Sequence, residues 1–293
     1  MISQRDAFFN KLYELAQKDK DIIIVTADCG TPSLDQWRDN LPDQFINVGI
    51  AEQNMISIAA GLALAGKKPY CYAIIPFLTL RCLDQIKCDI CLMNLPVTLV
   101  GIGAGLGYND SGPTHHATED IAIMRVLPNM QIASPSNADN AELLARLYNK
   151  PTYIRLDRHT PANPPSITAV YDDSHQMFYP LWLKPFTLPK EVLDAKLLIT
   201  LEEHLLAGGL GSIVAEYLVD NNIRIPLKRI GIKDEYFYKY GKREDIWNGE
   251  AELQRILAEY REKNRLPEEY YRGQTSSDTS TRPKHRRARA KNK

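Results

Sequence analysis

A single carboxylate, Glu52, stands just ahead of a nearly all-apolar stretch, Ile56-Ser-Ile-Ala-Ala-Gly-Leu-Ala-Leu-Ala-Gly66. Residues 52–65 read as a helix, and the apolar run Phe45–Val48 before them reads as a strand. So apolar a helix does not lie open to water. An acid in its first turn is therefore buried or interfacial and needs a hydrogen-bonding partner. A second cluster is Gly103-Ala-Gly-Leu-Gly-Tyr-Asn-Asp-Ser-Gly-Pro-Thr-His-His116. Its alternating glycines do not have GxGxxG spacing and no helix begins directly after them, which argues against a dinucleotide loop. They let the backbone pass close to a ligand, while the loop presents Asp110, Ser111, Thr114, His115 and His116. Neighbouring histidines diverge in most backbones, and no second ligand pair stands out, so a metal site is disfavoured. One histidine suits a donor to a substrate hydroxyl or oxyanion, and the other could cap a helix near 117. A third polar cluster is Ala27-Asp28-Cys29-Gly30.

These clusters need elements to hold them. Ile22–Thr26, Phe45–Val48, Tyr70–Ile75, Val97–Ile102, Gln131–Ala133 and Thr152–Leu156 read as strands. Helices are expected over 6–18, 52–65, 79–93, 117–126 and 138–149, the last capped by Asn137 or Ser136. Such alternation indicates an α/β domain around a mostly parallel sheet, over 1–160. Ligands of such sheets lie at the carboxyl ends of the strands, where all three clusters fall. Residues 161–190 read as a linker rich in proline and aromatics, without a convincing helix. A smaller, shortened α/β domain over 191–270 follows, with strands Ala195–Thr200 and Leu227–Ile232 and helices over 210–221 and 249–264. Its shortening leaves a sheet edge for a partner to cover.

Composition bounds the rest. The 293 residues are 44% hydrophobic and 25% charged, as in ordinary soluble proteins. No run approaches a membrane span and the N-terminus has no signal-peptide pattern, so the cytoplasm is expected. Five cysteines, an odd number, read as reduced thiols, with Cys88-Asp-Ile-Cys91 inside a buried helix. Net charge is zero, yet residues 272–293 hold eight Lys/Arg against one acid. This basic tail, 271–293, should be disordered. Nucleic acid or an anionic surface could attract it, but a solvated extension is the simpler reading, and nucleic acid is not expected as a partner.

The order GIAEQN (49–54), PFLTLRCLDQ (76–85), GPTHHATED (112–120), LPNMQIASPSNADNAE (127–142) and PTYIRLDR (151–158) resembles the pyrimidine-binding module of thiamine-diphosphate enzymes. It is most similar to transketolase and deoxyxylulose-phosphate synthase. LEEHLLAGGLGS (201–212) is similar to a segment of their C-terminal domain. The resemblance implies a catalytic role for Glu52, bonded to N1′ of the cofactor's aminopyrimidine. A proton shared there favours the imino tautomer, whose exocyclic nitrogen removes the thiazolium C2 proton. Phe77 would pack on the pyrimidine, although a core role is open to it. Asp28 resembles an acid near the thiazolium, or is a strand-end turn residue. His115 matches a substrate-contacting, catalytic histidine. Arg158 resembles the arginine that binds a sugar phosphate, and Arg155 could compete for that role.

Departures from the pattern carry information too. The family usually has an aspartate directly before Gly-Pro-Thr-His, reading the substrate's C2 hydroxyl. Here Ser111 stands there and Asp110 lies one residue earlier. Serine is not the same charge-assisted acceptor, so an unusual sugar phosphate is expected. No Gly-Asp-Gly of the diphosphate-binding module occurs. The chain thus reads as the second half of a split transketolase. An N-terminal, diphosphate-binding partner subunit would complete an α2β2 assembly, hold Mg²⁺ and share the thiamine diphosphate. This half would hold no metal of its own. The C-terminal domain is expected to serve assembly and hold no chemistry. Two alternatives stand beside this: the β-subunit of a 2-oxoacid dehydrogenase, and a non-catalytic transketolase-like scaffold. Titration of the purified chain with thiamine diphosphate and Mg²⁺ in a calorimeter is expected to show no tight binding; tight, magnesium-dependent binding overturns the split-site reading.

Overall fold

The computed structural model describes residues 2–158, 168–171 and 176–264. The expected basic tail, 271–293, lies outside the described residues. Helix α1 (Gln4–Ala16) begins at Ser3, whose hydroxyl accepts from the Asp6 N–H. Strand β1 (Ile22–Thr26) follows, then α2 (Pro32–Asn40) and β2 (Phe45–Asn47). Next come α3 (Glu52–Leu64), β3 (Lys68–Ile74), α4 (Ile75–Thr79), α5 (Leu83–Gln85) and β4 (Thr98–Ile102). Then α6 (Asp120–Arg125), β5 (Gln131–Ala133), α7 (Ala138–Leu144) and β6 (Thr152–Leu156) complete the first alternation.

Two regions depart from the periodicity. The continuous helix expected over 79–93 is three pieces. Pro76 lacks an N–H and suits a first turn, so α4 starts at the end of β3. After α5 the chain widens to a π-helical turn over Ile86–Cys91, with Cys88 exposed and Cys91 buried. Helix α2 is an element the apolar pattern did not reveal. Its charged face conceals Leu34 and Trp37, three apart and both buried.

The stretch read as a linker, 161–190, carries strands among its described residues. These are β7 (Thr168–Tyr171), β8 (Met177–Phe178) and β9 (Trp182–Lys184), ahead of a short α8 (Lys190–Leu193). Then come β10 (Leu198–Leu205), α9 (Leu210–Asp220), β11 (Leu227–Ile232), α10 (Arg243–Ile246) and α11 (Gly249–Asn264). Two-residue and three-residue strands are too short to show a period, which is why this stretch was opaque to pattern reading.

The first sheet has the order β2-β1-β3-β4-β6-β5-β9, parallel except for β9, which adds antiparallel to β5. The second has the order β11-β10-β7-β8. There β10 pairs parallel with β11 and antiparallel with β7, so both of its edges are occupied. Both sheets lie in one compact unit, Met1–Gln254. Alternate residues of β1 feed opposite cores. Ile22 and Ile24 meet Phe8, Phe9, Leu12, Trp37 and Leu144, while Ile23 and Val25 belong to the core that holds Met55, Ile56, Leu198 and Ile213. Among the described residues no helix is long and apolar enough to cross a membrane.

His204 on β10 sits at a buried seam. Its Nδ1 lies 2.7 Å from the Leu205 carbonyl and its Nε2 accepts from the Ala122 N–H at 3.4 Å. That pairing needs the neutral ring, and burial pushes its pKa down to about 4 from 6.5. A group depressed on folding keeps its full contribution above the unfolded value and loses it as pH falls. The fold is therefore expected to lose about 3 kcal/mol between pH 6.5 and pH 4 from this residue. Urea unfolding at stepped pH checks it, and His204→Asn should flatten that slope.

Candidate functional site

The carboxyl ends of the parallel strands gather on one edge of the first sheet. Asp28 follows β1, the Gly49–Glu52 turn follows β2, Phe77 follows β3, the 103–116 loop follows β4 and Arg158 follows β6. Two turns depend on backbone that few residues adopt. Asp28 has φ +55° and Gly49 φ +74°. Asn47 Oδ1 ties them together, accepting from the Asp28 N–H and the Gly49 N–H, both at 3.0 Å.

Glu52 is 6% exposed at the head of α3, where the helix dipole favours an anion. Its Oε2 accepts from Arg81 Nη1 at 2.8 Å. The Arg81 guanidinium lies 4.3 Å over the Phe77 ring. Phe77 meets the His115 imidazole edge-on, with centroids 5.0 Å apart. His115 Nδ1 lies 3.0 Å from the Thr114 hydroxyl, and its ring is 5.9 Å from that of Tyr108. Arg158 stacks on the other aromatic, 4.5 Å over Tyr108, and donates to Asp110 Oδ1 at 2.9 Å. Ser111 donates to the same oxygen at 3.0 Å. A series of contacts thus runs from Glu52 through Arg81, Phe77, His115 and Tyr108 to Arg158, Asp110 and Ser111.

Of the residues expected from sequence, Asp28 stands outside this series, joined to it only through Asn47 and the β2 turn. Arg155 is not at the site at all. It is 1% exposed and donates to Asp120 Oδ2 at 2.7 Å. That contact excludes it as a rival to Arg158. His116 is buried, and burial, then the neighbouring His115, push its pKa down. Burial also pushes the Cys29 thiol up to about 11, which keeps it protonated and unreactive. Sequence reasoning missed Arg81 and Tyr108. Arg81 was the one basic residue in the apolar run 74–83, a signal in itself. Tyr108 carried no signal beyond its place in the glycine-rich loop.

A buried acid beside an aromatic face fits a planar nitrogen heterocycle that can share a proton with the carboxyl. No group of three or more His, Cys, Asp or Glu side chains among the described residues is placed to hold a metal ion.

Comparison with known proteins decides the family. The model of the transketolase pyrimidine-binding domain matches residues 1–162, more than half of the chain. The chain belongs to the transketolase family. One of the subunits of apulose-4-phosphate transketolase from Phocaeicola vulgatus is 33% identical over 279 residues, covering 80% of this chain and 89% of that protein. A 1-deoxy-D-xylulose-5-phosphate synthase from Methylacidiphilum infernorum is 32% identical over 81% of this chain but only 44% of its own length. A solved split-gene transketolase, described as an inactive β4 tetramer, superposes with a TM-score of 0.69 at 28% identity. It covers 88% of this chain and 98% of the other. The chain matches split-transketolase subunits over most of their length and under half of the longer synthase, and the membership implies thiamine diphosphate as the cofactor.

In this transketolase-family chain, Gly105 shows how tightly the site loop is seated. Its φ is +59°, and a Cβ there would stand 2.5 Å from Glu203 Oε2 and 2.9 Å from the Glu203 carbonyl. Gly105→Ala is expected to destabilise the fold by about 2 kcal/mol or more, from left-handed strain plus overpacking. The midpoint of thermal unfolding measures it.

Proposed function

We propose that this chain is the pyrimidine-binding, catalytic half of a two-subunit transketolase that transfers a two-carbon ketol unit between sugar phosphates. The observation that carries this is the contact series from the buried Glu52 through Phe77 and His115 to Arg158. An acid, an aromatic face, an imidazole and an arginine along one line of contacts would suit a cofactor ring at one end and a phosphorylated substrate at the other. Thiamine diphosphate, when bound, supplies the nucleophilic carbon that takes up and releases the ketol unit.

The residues then divide the work. Glu52 holds a proton at N1′ of the aminopyrimidine, and Phe77 offers the ring a stacking face. Asp28 serves at the thiazolium end. His115 donates to or accepts from the substrate hydroxyl and oxyanion. Arg158 binds the phosphate, for which a planar guanidinium is well shaped. Ser111 and Asp110 contact the sugar hydroxyls, a pair differing from the usual aspartate. A phosphorylated sugar other than the common pentose-phosphate set fits that difference, and the Phocaeicola vulgatus relative is named for apulose-4-phosphate.

The partner is a diphosphate-binding subunit that holds Mg²⁺, in an α2β2 assembly. Support comes from the Phocaeicola vulgatus relative, named as one subunit of its transketolase. Ile50, just ahead of α3, and Leu92, just after the π-helical turn, are 81% and 80% exposed, apolar side chains that such a partner would cover. With that partner the site is expected to operate in the cytoplasm.

Co-expression with the diphosphate-module polypeptide tests the reading. Ketol transfer across a panel of phosphorylated sugars is expected, and Glu52→Gln should reduce kcat by about a hundredfold or more, as for loss of a general acid–base group. Activity unaffected by that substitution removes Glu52 from the mechanism. Lipoyl acylation by a 2-oxoacid in place of ketol transfer would assign the chain to the dehydrogenase class.

A further inference from the structure

The segment after β11 passes behind the site, and Arg243 is where it grips. Arg243 opens α10 and is 7% exposed. Its Nε donates to the two Glu203 oxygens at 2.8 and 2.7 Å. Nη1 donates to Asp157 Oδ2 at 3.0 Å and Nη2 to the Ala104 carbonyl at 2.9 Å. These partners lie on three elements: Glu203 on β10, Asp157 just after β6, and Ala104 in the loop after β4. Glu203 extends the grip, because its Oε2 accepts from the Leu106 N–H at 3.0 Å. Two residues before Arg243, the Gly241 carbonyl accepts from Asn109 Nδ2 at 2.6 Å. The Tyr240 ring lies against Gly112, its hydroxyl 3.1 Å from where a Cβ would stand.

Residues 240–243 thus hold the site loop at 104, 109 and 112, and at 106 through Glu203. They also hold Asp157, the residue before Arg158. We propose that Arg243 is the positioning residue for the substrate-phosphate site. It sets Arg158 and the Ser111–His115 loop at a fixed separation, from the part of the chain expected to serve assembly alone. The proposal rests on the reading of Arg158 as the phosphate ligand. A guanidinium suits the task because its planar fork reaches three elements at once, which an ammonium does not. A buried arginine between two carboxylates also leaves no room for slack, since any movement uncovers an unpaired charge.

The test uses the enzyme assembled with its diphosphate-module partner. Arg243→Lys and Arg243→Met are compared with wild type on a phosphorylated aldose and on glycolaldehyde, which has no phosphate. A raised KM for the phosphorylated acceptor, by about tenfold or more, is expected with Arg243→Met. The KM for glycolaldehyde and the affinity for thiamine diphosphate should hold, and Arg243→Lys should fall between. Equal loss on both acceptors, or none on either, overturns the proposal. Should Arg243→Met fail to fold, Asn109→Ala loosens the same grip from its outer side and should shift the phosphorylated acceptor alone, to a smaller extent. Hydrogen exchange in the isolated chain supplies an arm independent of activity. The amides of 103–116, Leu106 among them, should exchange faster in Arg243→Lys, and unchanged exchange counts against the grip. A wild-type assembly without ketol transfer would refute the proposed function, while the exchange result would still decide whether Arg243 holds the loop.

Discussion

Arg155 and Arg243 are charged groups kept from water, and the geometry of the site follows from how their charge is matched. Arg155 reaches Asp120 at 2.7 Å and the Ala117 carbonyl at 3.1 Å, while the Tyr153 hydroxyl donates to the same Asp120 oxygen at 2.7 Å. Arg243 reaches Glu203, Asp157 and Ala104. Replacing such a pair by apolar residues is often neutral, whereas removing one member is costly, about 3–5 kcal/mol. What the pairs provide is direction. Apolar packing is dense but not directional, whereas a forked donor facing two carboxylates ties particular atoms together. Through this polar seam the β4 loop and the end of β6 are joined to the second sheet.

The cavities and turns of the seam explain the glycines as well. Gly105 admits Glu203, and Gly209 lets α9 begin close enough for Glu202 to accept from the Leu210 and Gly211 N–H groups. Burial pushes the Glu202 pKa up to about 8, and the two N–H groups act against that shift. Gly105 and Gly209 are each matched to a buried acid, Glu203 and Glu202, while Gly112 is matched to the Tyr240 ring and Gly211 to Arg229 and Thr200. Within the run LEEHLLAGGLGS, the acid Glu202 comes first and the glycine that makes room for it, Gly209, seven residues later.

Much of this was legible in the sequence. Continuous β-branched runs such as Ile22–Thr26 marked buried parallel strands, since burial on both faces removes alternation. Glu52 was legible because an acid contradicts the helix that carries it. Elements that defeated the reading did so for physical reasons. Helix α2 shows few apolar residues because it rests on the sheet through Leu34 and Trp37 alone among its buried positions. The break over 79–93 follows from Pro76 and a widened turn, which periodicity does not register. Strands β7, β8 and β9 are defined by their partners, not by their own pattern. Arg243 was hidden for a related reason. A lone arginine in a charged, tyrosine-rich segment looks solvated, and only the fold brings Glu203 and Asp157 to it.

A split active site places a particular demand on each half. In a single chain, the two modules can order one another during folding. In a two-chain enzyme each surface has to stand ready before they meet, or the cost of ordering falls on association. Glu52 is already paired with Arg81, whose guanidinium covers Phe77, so neither the acid nor the ring waits unsupported. The loop after β4 is likewise held from behind by Glu203 of the second sheet and by Arg243. On the proposed two-subunit reading, the second sheet then has a purpose that assembly alone does not explain: it holds this loop in place before the partner arrives.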